Sequence, residues 1–168
     1  MRVLAMAAAA LVALSTLVSP AHAAASPVYR YEIINRANGW LTANNGTRVP
    51  YSQDRTWSDG YRQDCSGYAS MAARLDQPGP NTVGLASGTW TFAITMGELK
   101  RGDLVIDAIG DGNSRHAVIF DRWTDTAKNR YFAYEQRGDW GTDYRALTYG
   151  LESGSEYKAR RLHNVIDK

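Results

Sequence analysis

The sequence predicts an α+β domain, with N-terminal helices packed on a mainly antiparallel sheet of about five strands. Two observations carry this. Helical spacing of apolar residues is confined to the first half of the chain. After Leu99 the pattern changes to short apolar runs separated by turn residues, as strands require. No repeat, linker or composition shift divides the chain, so helices followed by strands belong to one layered domain. A length of 168 residues also fits a single domain.

Residues 1–23 read as a secretory signal peptide. Arg2 gives the positive start, Val3 to Val18 is an uncharged run of Ala, Leu, Val and Met, and Ala21-His22-Ala23 fits a small-x-small cleavage site. The run is too short and too rich in alanine for a spanning helix. Residues 24–168 are then the domain, secreted and placed at the cell exterior or wall, with no membrane span left after cleavage. Val28 to Ala37 predicts an early helix. Asn44-Asn45-Gly46 is a turn signal, and Val49 to Tyr61 is polar, aromatic and turn-rich, hence a loop.

Asp64 to Gln77 predicts a helix. Asp64 caps it, Tyr68, Met71, Ala72 and Leu75 recur at spacings of three and four, and Pro78-Gly79-Pro80 stops it. Asn81 to Gly97 is ambiguous, with Thr89 to Ile94 either extended or a turn of helix. Strands are expected at Leu104–Ile106, His116–Trp123, Tyr131–Gln136, Tyr144–Tyr149 and Tyr157–Val165. Arg101-Gly102-Asp103 reads as the tight turn before the first of them, not as an adhesion motif.

Composition narrows the function. Apolar residues are 44% and charged residues 21%, and 19 basic against 17 acidic residues give a formal charge of +2. The densest basic stretch is Lys158, Arg160 and Arg161, too modest for a nucleic-acid footprint. The chain holds one cysteine, Cys65, so an exported domain has no internal disulfide and no Cys-based metal site. The thiol is a buried small hydrophobe, an intermolecular bridge or a reactive group.

Context favours reactivity. Cys65 stands in Asp64-Cys65-Ser66-Gly67-Tyr68, at the predicted helix start, where unpaired backbone N–H groups favour the thiolate. Gly67 keeps the first turn narrow, so another backbone or a substrate can approach. A structural cysteine would sit mid-helix on the apolar face.

A thiolate in acyl transfer needs a base, and histidine is the usual one. Of the 3 histidines, His22 leaves with the signal peptide and His163 lies in a basic C-terminal segment. His116 opens the strand His116-Ala117-Val118-Ile119-Phe120 and is the candidate base; a satisfied core histidine is the plainer alternative. A third group must fix its tautomer. The following strand, Tyr131-Phe132-Ala133-Tyr134-Glu135-Gln136, supplies it. Strand alternation lets only one of Glu135 and Gln136 face the histidine. Glu135 shares its face with the small Ala133 and is favoured, with Gln136 as the alternative.

Asp64-Cys65-Ser66-Gly67-Tyr68, Leu99-Lys100-Arg101-Gly102-Asp103-Leu104-Val105 and His116-Ala117-Val118-Ile119-Phe120, in that order, resemble the NlpC-type cysteine peptidases. These are papain-like hydrolases that cut bacterial cell-wall peptides. The resemblance runs from about Val49 to Gln136. It implies a papain-like NlpC-type fold, a Cys65–His116–Glu135 catalytic set, no metal or organic cofactor, and peptidoglycan or its peptide fragments as the partner. Val49-Pro50-Tyr51 resembles the family segment whose tyrosine helps bind the oxyanion, a role that would fall to Tyr51. Trp57, Tyr61 and Trp140 are candidates to line the substrate groove, with ordinary packing as the alternative for all three.

Two departures stand out. Where the family often has a Gly-Gly pair after the tyrosine, this chain has Ser52-Gln53-Asp54-Arg55-Thr56-Trp57. The family's third residue is commonly His, Asn or Gln, and Glu135-Gln136 looks more like the related CHAP amidase-peptidases. The leading expectation is an endopeptidase on stem peptides. An N-acetylmuramoyl-L-alanine amidase or an acyl or amide transferase on the same fold is the second, and a non-catalytic wall-binding module the third.

Overall fold

A computed structural model describes residues 25–167. The expected signal segment, 1–23, lies outside the described residues. The chain runs β1 (Val28–Tyr29), α1 (Arg30–Gly39), α2 (Cys65–Ala72), α3 (Thr82–Leu85) and β2 (Thr91–Ala93), then a 3-10 turn at Met96–Glu98. The strands β3 (Leu104–Asp107), β4 (His116–Trp123), β5 (Tyr131–Arg137), β6 (Gly141–Leu147), β7 (Lys158–Leu162) and β8 (Val165–Ile166) follow. This is an α+β architecture with a six-stranded sheet in the order β2-β7-β3-β4-β5-β6, every pairing antiparallel. A separate parallel pair, β1 with β8, ties the two ends of the domain together.

Alternation along the strands builds a core on each face of the sheet. On one face, Leu104, Ile106, Ala117, Ile119 and Tyr134 pack against Ile33, Ile34 and Ala37 of α1 and Tyr68, Ala69 and Ala72 of α2. On the other, Val105, Val118, Phe120, Tyr131, Ala133 and Leu147 form a second cluster. With both faces covered, β3 reads as an unbroken apolar run.

The turn before β3 is set by two residues. Gly102 has φ +84°, a conformation that suits glycine. Asp103 is fully buried, accepts the Lys100 N–H at 2.7 Å, and pairs with Arg30 at 2.9 Å and Arg161 at 2.8 Å. The Asp103 carboxylate therefore joins α1, β3 and β7 and is closed to outside partners.

Several elements differ from the sequence expectation: β6 starts at Gly141 and ends at Leu147, the run expected at Tyr157–Val165 divides into β7 and β8, and three further differences have clear causes. The early helix begins at Arg30, because Val28 and Tyr29 pair with Val165 and Ile166. The second helix stops at Ala72 rather than Gln77: Arg74 turns left-handed at φ +55°, and the Leu75 N–H reaches back to the Ser70 carbonyl at 3.0 Å. This end seats Leu75 in the core. The sheet has six strands, the additional one being β2 from the ambiguous 81–97 segment, which pairs with β7.

Candidate active site

The start of α2, the start of β4 and the end of β5 meet at one end of the sheet. Asp64 caps α2, accepting the Gly67 N–H at 2.6 Å and the Ser66 hydroxyl at 2.9 Å. Gly67 is needed there: a Cβ would stand 2.2 Å from the Arg62 carbonyl oxygen. The backbone that approaches the first helical turn is thus the chain's own. Arg62 binds Asp64 at 2.8 Å, Ser66 at 3.0 Å and the Pro80 carbonyl at 2.9 Å. It fastens the start of α2 to the turn that leads into α3. The first N–H groups of a helix lack intrahelical partners, and the Cys65 N–H belongs to that set.

Cys65 is 5% exposed, and its Sγ lies 3.7 Å from the Thr82 hydroxyl. It also acts on the neighbouring His116 imidazole, raising that group's pKa. His116 Nε2 lies 2.9 Å from Glu135 Oε2. A carboxylate only accepts, so Nε2 carries the proton, and Nδ1 is left for the thiol. The register explains the pair. Glu135 is opposite Val118, two residues along β4 from His116, so the two side chains are diagonal neighbours on one face of the sheet.

The electrostatics favour an ion pair. Burial presses the His116 pKa down, but the hydrogen bonds and charges of Cys65 and Glu135 outweigh it and raise it from 6.5 to about 9. Burial pushes the Glu135 carboxyl up, but His116 and Arg145 overcome this and hold it below the usual value. Arg145 pairs with Glu135 Oε1 and donates to the Tyr149 hydroxyl at 3.0 Å. The Tyr149 ring meets the imidazole edge-on, with centroids 6.1 Å apart.

Gln136 faces the other way. It is fully buried, and its Nε2 lies within hydrogen-bonding distance of three carbonyls: Pro50 at 3.0 Å, Gln63 at 3.2 Å and Val49 at 3.3 Å. Gln63 Nε2 donates to the Pro50 carbonyl at 2.9 Å. Together they hold the segment that carries Tyr51. Burial, with the charges of Cys65 and Asp64, raises the Tyr51 phenol pKa despite a bond from Gln53. The phenol stays protonated. Because Gln53 Nε2 donates to its oxygen at 3.2 Å, the hydroxyl proton is free to point into the cleft.

The cleft has two lobes. One, of about 280 Å³, is lined by Cys65, Asp64, Ser66, Asn81 and Thr82. The other, of about 380 Å³, is lined by His116, Glu135, Arg145, Tyr149 and Tyr157. Tyr51, Gln53 and Arg115 border both. Gln53 crosses between them to the Gly112 carbonyl at 3.0 Å.

Cys65, His116, Glu135 and Tyr51 thus come together. Trp57 and Tyr61 do not border either lobe. Trp57 packs on the core beside Trp40, and Tyr61 is 7% exposed, its hydroxyl donating to the Leu75 carbonyl at 2.7 Å. Trp140 is exposed on the β5–β6 turn, between the Arg48 and Arg137 guanidiniums at 4.5 and 4.8 Å from its ring. It neighbours the cleft only through Arg137. His163 lies 3.0 Å from the Gly88 carbonyl and meets the Phe92 ring at a tilt, beside the β2–β7 edge. Sequence reasoning missed Thr82, Arg115 and Arg145. Arg115 had a signal, its position next to His116; Thr82 had none. The chain matches no protein-family model and no curated protein.

Proposed function

We propose that the chain is a secreted papain-like cysteine hydrolase of the NlpC type, cleaving peptide bonds in bacterial peptidoglycan stem peptides. The observation that carries this reading is the chain of contacts from the Cys65 thiol through the His116 imidazole to the buried Glu135 carboxylate. Metal-independent acyl transfer needs this set: a nucleophile at a helix start, a base, and an anion that fixes the base. The ordered motifs around Cys65, Gly102-Asp103 and His116 support the wall substrate by resemblance.

In this mechanism the Cys65 thiolate attacks the scissile carbonyl. The resulting oxyanion accepts hydrogen bonds from the Cys65 N–H and the Tyr51 hydroxyl. His116 delivers its Nδ1 proton to the leaving amine, and the C–N bond breaks to leave a thioester on Cys65. The neutral imidazole then takes a proton from water. The hydroxide attacks the thioester, and the thiolate leaves to re-form its pair with imidazolium. Glu135 remains ionised throughout.

Digestion of purified peptidoglycan by the mature chain, with Cys65→Ala as control, tests the reading by mass spectrometry. New fragments that need Cys65 identify a hydrolase and the bond it cuts. Intact peptidoglycan with several wall types and folded protein would sink it. A glutamate in the third position favours the CHAP-like amidase as the second reading. Release of whole stem peptides from muramic acid would decide for it.

A further inference from the structure

Three arginines border the cleft: Arg115, Arg137 and Arg145. Two are committed. Arg137 donates twice to Asp143, at 3.0 and 2.8 Å. Arg145 is held by Glu135 and Tyr149. Arg115 is different. Its side chain borders both lobes, and its Nε is buried without a hydrogen-bond partner. Among the described residues no carboxylate forms an ion pair with it. Asp111 feels its charge, but that carboxylate is occupied by the N–H groups of Asn113 at 2.8 Å and Ser114 at 3.2 Å.

Among the described residues the Arg115 guanidinium makes no hydrogen bond or ion pair, so the part of it that borders the cleft keeps its donors for a bound acceptor. A guanidinium offers several donors in one plane, which a carboxylate matches with two parallel hydrogen bonds. Arg115 immediately precedes His116 and shares a lobe with Cys65. An anion bound there would lie in the lobe that Cys65 lines.

We infer that Arg115 is a specificity-determining residue that binds a free carboxylate flanking the scissile bond, so that the substrate is an acidic peptide. The inference rests on Cys65 being the nucleophile of the proposed hydrolase. Applied to stem peptides, it means that the chain selects those whose flanking carboxylate is free over those in which it is a carboxamide.

Two arms test it. In the first, Cys65 is alkylated by anionic iodoacetate and by neutral iodoacetamide at low salt, in wild type, Arg115→Gln and Arg115→Lys. The iodoacetate-to-iodoacetamide rate ratio is expected to fall about tenfold in Arg115→Gln and to be largely kept in Arg115→Lys. A ratio that is the same in wild type and Arg115→Gln overturns the inference. The imidazolium beside Cys65 also attracts anions, but it is common to all three proteins and cancels in the comparison.

In the second arm, two synthetic stem peptides differ only in a carboxylate or a carboxamide next to the bond cut. Wild type should favour the carboxylate by about tenfold in kcat/KM, and Arg115→Gln should lose the preference. Equal kcat/KM for both in wild type overturns the substrate assignment. If neither peptide is cut but the alkylation ratio still depends on Arg115, the anion site stands and the wall-peptide reading fails. If both are cut and the ratio ignores Arg115, the hydrolase stands and this inference fails.

Discussion

The Glu135 carboxylate, fully buried, accepts the His116 Nε2 proton at 2.9 Å, while its other oxygen is held by Arg145. Arg137 stands 3.7 Å from that second oxygen, so one anion serves three cations. This keeps Glu135 ionised despite its burial, and it fixes which imidazole nitrogen faces Cys65.

Glu135→Gln tests that relationship through pH. Because the His116 pKa is raised to about 9, the imidazolium and its pairing persist through neutral pH. The stabilisation they give is complete below the ordinary 6.5 and is lost as pH rises through about 9. Hydrolysis should therefore show an alkaline limb near pH 9. Removing the Glu135 charge takes away one of the groups that raise the His116 pKa, so the limb should move down toward the ordinary imidazole range. The kcat/KM at neutral pH should fall about a hundredfold. A pH–rate profile with an unmoved alkaline limb would count against Glu135 as the partner of the base.

Gln136→Ala should act differently, although the two residues are adjacent. Gln136 supports the Tyr51 segment from the opposite face of the sheet. Its loss takes one donor each from the Val49, Pro50 and Gln63 carbonyls, which keep the Thr142 N–H, Gln63 Nε2 and Ser52 N–H as partners, so the cost should be about 1 kcal/mol. Denaturant unfolding should show that loss, and kcat/KM should drop as Tyr51 loosens, while the alkaline limb stays where it is. A shifted limb would mean that Gln136 also acts on His116.

Tyr51→Phe removes a hydroxyl and leaves the ring in place. The Tyr51 oxygen already accepts from Gln53, so its proton is available to a developing oxyanion. Loss of one preorganised donor should lower kcat about a hundredfold with little effect on KM. Thermal unfolding should remain close to wild type, since the hydroxyl supports no core contact. A wild-type kcat in this variant would leave the oxyanion to the backbone alone.

The contacts legible in the sequence are those set by local rules. The Asp64 cap and the helix start at Cys65 follow from side-chain chemistry within four residues. The His116–Glu135 diagonal follows from period-two alternation in neighbouring strands. What was not legible depends on distant chain. Thr82 reaches Cys65 because Arg62 binds the Pro80 carbonyl, and no spacing rule announces that tie. Tyr61 reads as a loop aromatic until the left-handed Arg74 brings the Leu75 carbonyl to its hydroxyl. The sixth strand lay within Thr89 to Ile94, which reads as either extended or a turn of helix because Thr91–Ala93 is too short for a pattern, and its pairing with β7 is what makes it a strand.

Asp103 gives the last prediction, one of stability and not of chemistry. Its side chain is wholly buried, and two arginines depend on it: Arg30, 9% exposed, and Arg161, 17% exposed. Arg30 also donates to the Arg101 carbonyl at 2.8 Å and pairs with Asp167. The cluster thus binds α1, the β3 turn and the chain end into one unit. Asp103→Ala leaves both cations near the core with their main anion gone, which should cost about 3–5 kcal/mol. Asp103→Asn keeps the shape and one acceptor but loses the charge, so it should cost less. Denaturant midpoints for the two variants measure this directly. Asp103 touches none of the residues lining either lobe, so any Asp103→Asn protein that remains folded should keep the wild-type alkaline limb. Equal stability of Asp103→Ala and wild type would show that the two arginines find solvent instead.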